Sequence, residues 1–266
     1  IGPMDFGMDD VTRDAVEWRI GERSQRDAQR VLAVVLETTG GYIEVVERMA
    51  DTFRAHYERV EFVIPNHAFS AGTILVMSGD AIHMDYYSVL GPIDPQVAQG
   101  PGGTFVPALG YLEQYNRLLE KSRKGELSTA ELAILLDKFD PAEMYAYEQQ
   151  QALSVTLLKR WLATYKFKDW NVTATRCVEV TTQMREDRAE EVAKKLQDTS
   201  YWHTHSRGIA MSAVREVLNL LVDDFGTNPA INKPLKAYHR LLVDFMRRTK
   251  QAAVVHVPGR YTPIPQ

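Results

Sequence analysis

The chain has 266 residues and a mass of 30.2 kDa, with 45% hydrophobic and 25% charged residues, enough apolar material for one large or two small folded units. Its net charge of −4 gives no reason to expect nucleic acid or an anionic membrane as partner. The single cysteine, Cys177, excludes an intrachain disulfide and suits a reducing, cytoplasmic setting, and no apolar run approaches the ~20 residues needed to span a bilayer.

Residues 1–29 are polar, with charge densest from Glu17 through Asp27, and read as a surface helix or arm. Ile1-Gly2-Pro3-Met4 reads as a cloning remnant ahead of a native start and is set aside from the fold. Val31 to Leu36 is a continuous valine-rich run, the pattern of a strand buried on both faces. Thr38-Thr39-Gly40-Gly41 is the turn after it. Tyr42 to Tyr57 has helical spacing, with Ile43, Val46, Ala50 and Phe53 on one side and Glu44, Glu47 and Asp51 on the other. Val60 to Ile64 is the next strand, so the segment forms a βαβ unit of an α/β fold. Pro65 breaks that strand, small residues from Ala68 to Gly72 follow, and Thr73 to Met77 opens a helix. Strand, sharp turn and helix lift the Ser70 hydroxyl above a sheet. Both this turn and Gly40-Gly41 fall beyond C-terminal strand ends, where ligand chemistry sits in such sheets.

Asp80 to Met84 is a short apolar segment, and Ser88 to Gln96 is too rich in Gly and Pro for regular structure and reads as a shaped wall. Beyond a glycine-rich loop, helices are expected over 108–124, 128–138, 140–165, 180–197, 212–222 and 234–248, before an extended tail at 257–266. Ser128-Thr129-Ala130-Glu131 is a capping box, and Asp140-Pro141 gives an N-cap followed by proline at the first helical position. The organisation is an arm over 1–29, a core over 30–107, a helical extension over 108–256 and the tail.

Ser70-Ala71-Gly72-Thr73 followed by Leu90-Gly91-Pro92-Ile93-Asp94-Pro95-Gln96 resembles the serine dehydrogenase proteinase family, related to signal peptide peptidase A and, more distantly, to the Clp-type proteases and the crotonases. The resemblance spans roughly Arg30 to Asp224. It implies a Clp/crotonase-like ββα superhelix with a helical C-terminal extension, and a serine endopeptidase acting on polypeptide. Ser70 would be the nucleophile, and backbone N–H groups of Gly40 or Gly41 and of Ala71 the oxyanion hole. Gly91, Pro92 and Ile93 would line the substrate. Relatives are often membrane-anchored and assemble into rings, whereas this chain reads as soluble.

A serine hydroxyl needs an adjacent base. No histidine stands near Ile93-Asp94, where the Clp-type proteases place theirs. A lysine of the peptidase A kind is the alternative, with Lys121 the first choice, then Lys124, Lys166 and Lys168. His67 and His83 are close to Ser70 in sequence, and the alternation around His83 points it to the other side of the sheet. His203 and His205 lack a third ligand for catalytic zinc, so neither metal nor cofactor is expected. Two other readings share the fold: a crotonase-type acyl-thioester enzyme using Glu37 or Asp94, and a catalytically silent oligomeric binding or assembly protein. Apolar stripes at Tyr145, Leu153, Leu157, Leu158 and Trp161, and at Leu235, Tyr238, Leu241, Leu242 and Phe245, predict a homo-oligomer larger than a dimer.

Overall fold

The computed structural model describes residues 1–22, 30–93, 96–98, 105–204 and 207–265. Helix α1 (Met8–Gly21) packs on α2 (Ile43–His56), which lies between β1 (Val31–Val35) and β2 (Arg59–Val63). The short β3 (His67–Ala68) and the six-residue α3 (Ala71–Val76) precede β4 (Ala81–Met84) and β5 (Val89–Leu90). After the paired β6 (Gln96–Ala98) and β7 (Phe105–Pro107) come α4 (Ala108–Arg123), α5 (Thr129–Lys138) and α6 (Pro141–Trp161). A π-helical turn, Leu162–Lys166, extends α6. Then follow α7 (Thr182–Gln197), α8 (Thr199–Trp202), β8 (Ile209–Ala210), α9 (Met211–Glu216), β9 (Asp223–Asp224), α10 (Pro229–Arg248), β10 (Gln251–Val257) and β11 (Arg260–Pro265).

The main sheet has the order β1-β2-β4-β9 and is parallel throughout, with Val34 opposite Phe62 and Phe62 opposite Ile82. Phe62 and Ile82 are fully buried, and sequestering a side chain of that size is worth about 2–3 kcal/mol. A second, small sheet, β3-β5-β8, sits beyond the C-terminal ends of the main strands and carries the Ser70 turn. The α/β class and the Clp-like core expected from the sequence are present. The expected helix starts hold where a cap specified them: Ser128 and Glu131 close the capping box, and the Asp140 carboxylate accepts the Ala142 N–H at 2.7 Å.

Four expectations change. β1 is an edge strand rather than a central one, which leaves Val31 and Val35 exposed; an apolar run alone does not reveal whether a strand has one neighbour or two. Met4 is buried in the core against Gly41 and Gly72, so Ile1 to Met4 is part of the fold. The stripe Leu157, Leu158 and Trp161 is core, covered by α7 and α2, while Tyr145 on the same helix stays exposed. The last long helix starts at Pro229, capped by the Asn228 side chain, and carries Pro234 inside. The tail begins earlier than expected and folds back as the β10–β11 hairpin. No described helix is long and apolar enough to cross a membrane.

Candidate active site

Ser70 stands between β3 and α3 with φ 51° and ψ −121°. A non-glycine residue held there costs on the order of 1–3 kcal/mol and persists only where its surroundings enforce it. They do so from both sides. The Phe69 N–H donates to the Thr38 carbonyl at 3.0 Å, and the Gly72 N–H donates to the Phe69 carbonyl at 2.8 Å. Thr73, fully buried one turn into α3, holds the remaining contacts. Its hydroxyl lies 2.8 Å from the Ala68 carbonyl and 3.0 Å from that of Gly91, and accepts the Gly91 N–H at 2.9 Å. The side chain of Ser70 makes no cap bond to α3.

The Gly40-Gly41 turn lies directly against this serine. A β-carbon on Gly40 would stand 2.9 Å from the β-carbon of Ser70, so only glycine fits, and φ is +109°. The Gly40 N–H is committed to the Thr38 hydroxyl at 3.1 Å. Met4 braces the other side of the turn: its N–H donates to the Gly40 carbonyl at 2.8 Å, and its carbonyl accepts the Tyr42 N–H at 3.0 Å. Neither the Gly41 nor the Ala71 N–H has an acceptor among the described residues.

Gly91 packs on the Phe69 ring, where a β-carbon would come within 2.8 Å. Pro92 and Ile93 are buried beside it, and the Ile93 N–H donates to the Leu196 carbonyl on α7 at 3.2 Å. The chain from Gly91 to Ile93 is therefore a wall fixed to Ser70 through Thr73 and Phe69. Asp94 lies outside the described residues, as do His205 and Ser206.

The lysines are placed elsewhere. Lys121 pairs with the Glu131 carboxylate, which also serves the α5 capping box; those bonds hold Glu131 down at about 2. Lys124 is exposed. Lys166 has the desolvation a basic lysine needs, and burial lowers it to about 8. Its ammonium, however, sits 3.5 Å from the Asp80 carbonyl, just before β4, and Lys168 pairs with the Asp80 carboxylate. In a parallel sheet that is the end opposite Ser70. His83 faces Glu61 at 2.9 Å across the neighbouring strand.

A group with no local sequence pattern lies near the Gly40 turn. Glu37 and His239 meet at 2.5 Å, although 202 positions apart. Burial alone would push the Glu37 carboxyl up, but hydrogen bonds from His239 and Asn66 bring it below its ordinary value. His67 stacks on Phe69 at 4.9 Å between ring centroids and is pushed down by burial. Asp85, fully buried, holds the β4–β5 turn to α10 through Lys236 at 2.5 Å and the N–H groups of Tyr87 and Ser88. Among the described residues no cluster of His, Cys, Asp and Glu has the makings of a metal site.

Residues 22–118, which carry the sheet and the Ser70 turn, match the family model of the ClpP-like SDH-type serine proteinases. The chain is also similar to two uncharacterized proteins of Methanocaldococcus jannaschii. One is 28% identical over 229 residues, which is 86% of this chain and 62% of that protein. The other is 34% identical over 76 residues, 29% of this chain and 27% of its own length. The chain thus spans less than two thirds of either relative. Among solved structures, an alanine mutant of the 1510-N membrane-bound stomatin-specific protease aligns with all of this chain and 89% of its own, at 11% identity and a TM-score of 0.46. The resemblance read from the motifs therefore holds over 22–118, for a family of ClpP-like serine proteinases.

Proposed function

We propose that this chain is a serine endopeptidase in which Ser70 attacks the carbonyl carbon of a peptide bond. The observation that most supports this reading is the Ser70 backbone, φ 51° and ψ −121°, enforced by bonds from Thr38 and Thr73. That strain has no structural use in a plain helix cap, and it presents the hydroxyl at the mouth of the turn. The Gly41 and Ala71 N–H groups donate to the developing oxyanion, each worth about 3 kcal/mol of barrier. Gly40 gives the room, since its own N–H is spent on Thr38. Gly91, Pro92 and Ile93 form the wall along which the substrate lies. Residues 30–107 carry this site, and 108–256 form the extension that supports it and joins neighbouring copies in a cytoplasmic homo-oligomer larger than a dimer.

Lys121 is the proposed base. That role requires its amine to exchange Glu131 for Ser70 and to lose its proton on leaving water. A fluorophosphonate probe tests the nucleophile. Labelling should map to Ser70 and vanish in Ser70→Ala, while labelling that survives this variant refutes the assignment.

A second reading, a silent oligomeric assembly protein on the same fold, is favoured by the engagement of Lys121, Lys166 and Lys168 away from Ser70. It predicts no labelling at all. The thioester-enzyme reading is weakened by the commitment of Glu37 to His239.

A further inference from the structure

The open edge of β1 faces a cavity of about 420 Å³, and every residue from Leu32 to Leu36 lines it. The Leu36 N–H donates to the Val63 carbonyl, and the Arg30 carbonyl accepts from Arg59, so even-numbered residues of this strand turn their backbone groups toward β2. Val31, Ala33 and Val35 consequently turn theirs outward, and no described residue pairs with them. On the far side of the cavity stands β10. Val255 and Val257 face β11, while Val254 and His256 turn their backbone groups toward the cavity. The space between the two strands is one strand wide, and the protein itself demonstrates this. Residues 1–4 occupy its upper end, with the Gly2 N–H donating to the Glu37 carbonyl at 2.9 Å on one side. On the other side Ile1 and Val254 exchange both backbone bonds.

Below Ile1 the same slot continues between two unpaired strand edges. Met8, Val16, Met49 and Phe53 close one face, and Tyr238 and Leu242 the other. Thr12, 5% exposed, stands in that wall with a hydroxyl that has no hydrogen-bond partner. Buried polar atoms are nearly always satisfied, so this one marks a place where an incoming group supplies the bond.

We propose that the slot is a strand-docking site for an extended peptide of alternating apolar and hydroxyl-bearing residues. The peptide enters in line with residues 1–4, parallel to β1 and antiparallel to β10. Its backbone joins Val31, Ala33 and Val35 to His256 and makes one sheet of the two. Apolar side chains fill the walls, and a serine or threonine meets Thr12. About four residues fit the volume, and the unpaired backbone on both sides distinguishes such a ligand from a lipid or other small apolar molecule, which would leave those groups unmet.

The test uses the full chain and the probe acetyl-Ser-Val-Thr-Val-amide, with hydrogen exchange read at single amides. In the free protein the Val31, Ala33, Val35 and His256 amides should exchange quickly, and saturating probe should slow them at least tenfold. The same peptide with N-methylated backbone should not protect them. Ala33→Pro removes an outward N–H without touching the β2 ladder and should weaken probe binding about tenfold. Protection already present in the free protein overturns the proposal, as does equal binding of the N-methylated peptide. Displacement of the probe by octanoic acid with no loss of amide protection would also overturn it. The comparison of the two peptides stands even if the proline variant does not fold.

Discussion

Replacing Thr73 by valine keeps the shape of the side chain and removes only its hydroxyl. The Gly91 N–H then loses its acceptor at 2.9 Å, and the Ala68 and Gly91 carbonyls lose the shared donor, all in a fully buried place. An orphaned buried donor costs about 1–3 kcal/mol and a lost carbonyl bond about 1 kcal/mol more. Thr73→Val should therefore destabilise by roughly 2–4 kcal/mol, a large part of the ~5–15 kcal/mol of a folded domain. Thr73→Ser keeps the hydroxyl, loses one methyl, and should cost about 1 kcal/mol. Urea denaturation followed by circular dichroism gives both numbers. The second readout is the rate of fluorophosphonate labelling. Without Thr73 the strain at Ser70 relaxes, and a loss of about 1.4–3 kcal/mol in positioning slows labelling by about ten- to a hundredfold while the far-ultraviolet spectrum stays native. If serine proves more damaging than valine, the site depends on the methyl contact, and the hydrogen-bond account of the elbow is wrong.

Ser70→Gly should stabilise the protein or leave it unchanged by denaturation while abolishing labelling, because glycine adopts φ 51° without steric strain; a clear loss of stability would show that the backbone is not strained there. Lys166 has a folded value of about 8 against an ordinary 10.5. Between those values the unfolded chain binds more protons, so this lysine adds stability as pH rises from about 8 to about 10.5, by roughly 3 kcal/mol, and adds none below that interval. Lys166→Met should flatten that rise relative to the parent without slowing labelling of Ser70, and slowed labelling would return Lys166 to the site. Light scattering behind a sizing column at micromolar concentration should give a mass well above two chains, since Leu241 and Phe245 remain 68% and 47% exposed; a mass near 30 kDa refutes assembly.

Much of the frame was legible because its signals are local. The periodicity of Tyr42 to Tyr57, the break at Pro65 and the caps at Ser128 and Asp140 each act within a few residues, and each element formed where its signal stood. Thr73 was not legible. In the run Thr73 to Met77 it reads as core filler, and its partners Ala68 and Gly91 converge only through the small second sheet. Glu37 and His239 likewise meet only when α10 returns to the end of β1. For Lys166, the flanking Tyr165 and Phe167 announced burial, but nothing local says at which end of a strand a later segment will pack. Lys121 had one available signal: Glu131, already assigned to a capping box, is a carboxylate within reach of the preceding helix.

The brace on Gly40 and Gly41 also sets an order of events during synthesis. Met4 supports the turn, and Ile1 is tied by backbone bonds to Val254, which lies 253 positions later in the chain. On a ribosome the sheet, Ser70 and its helix are all complete long before β10 emerges. Over that interval residues 1–4 have one neighbour instead of two, and the turn next to Ser70 lacks half its support. A pairing of such long range closes late, since the entropy of a large loop must be overcome first. The candidate site is therefore assembled last although its residues are made early, so a nascent chain exposes the serine without the geometry to use it.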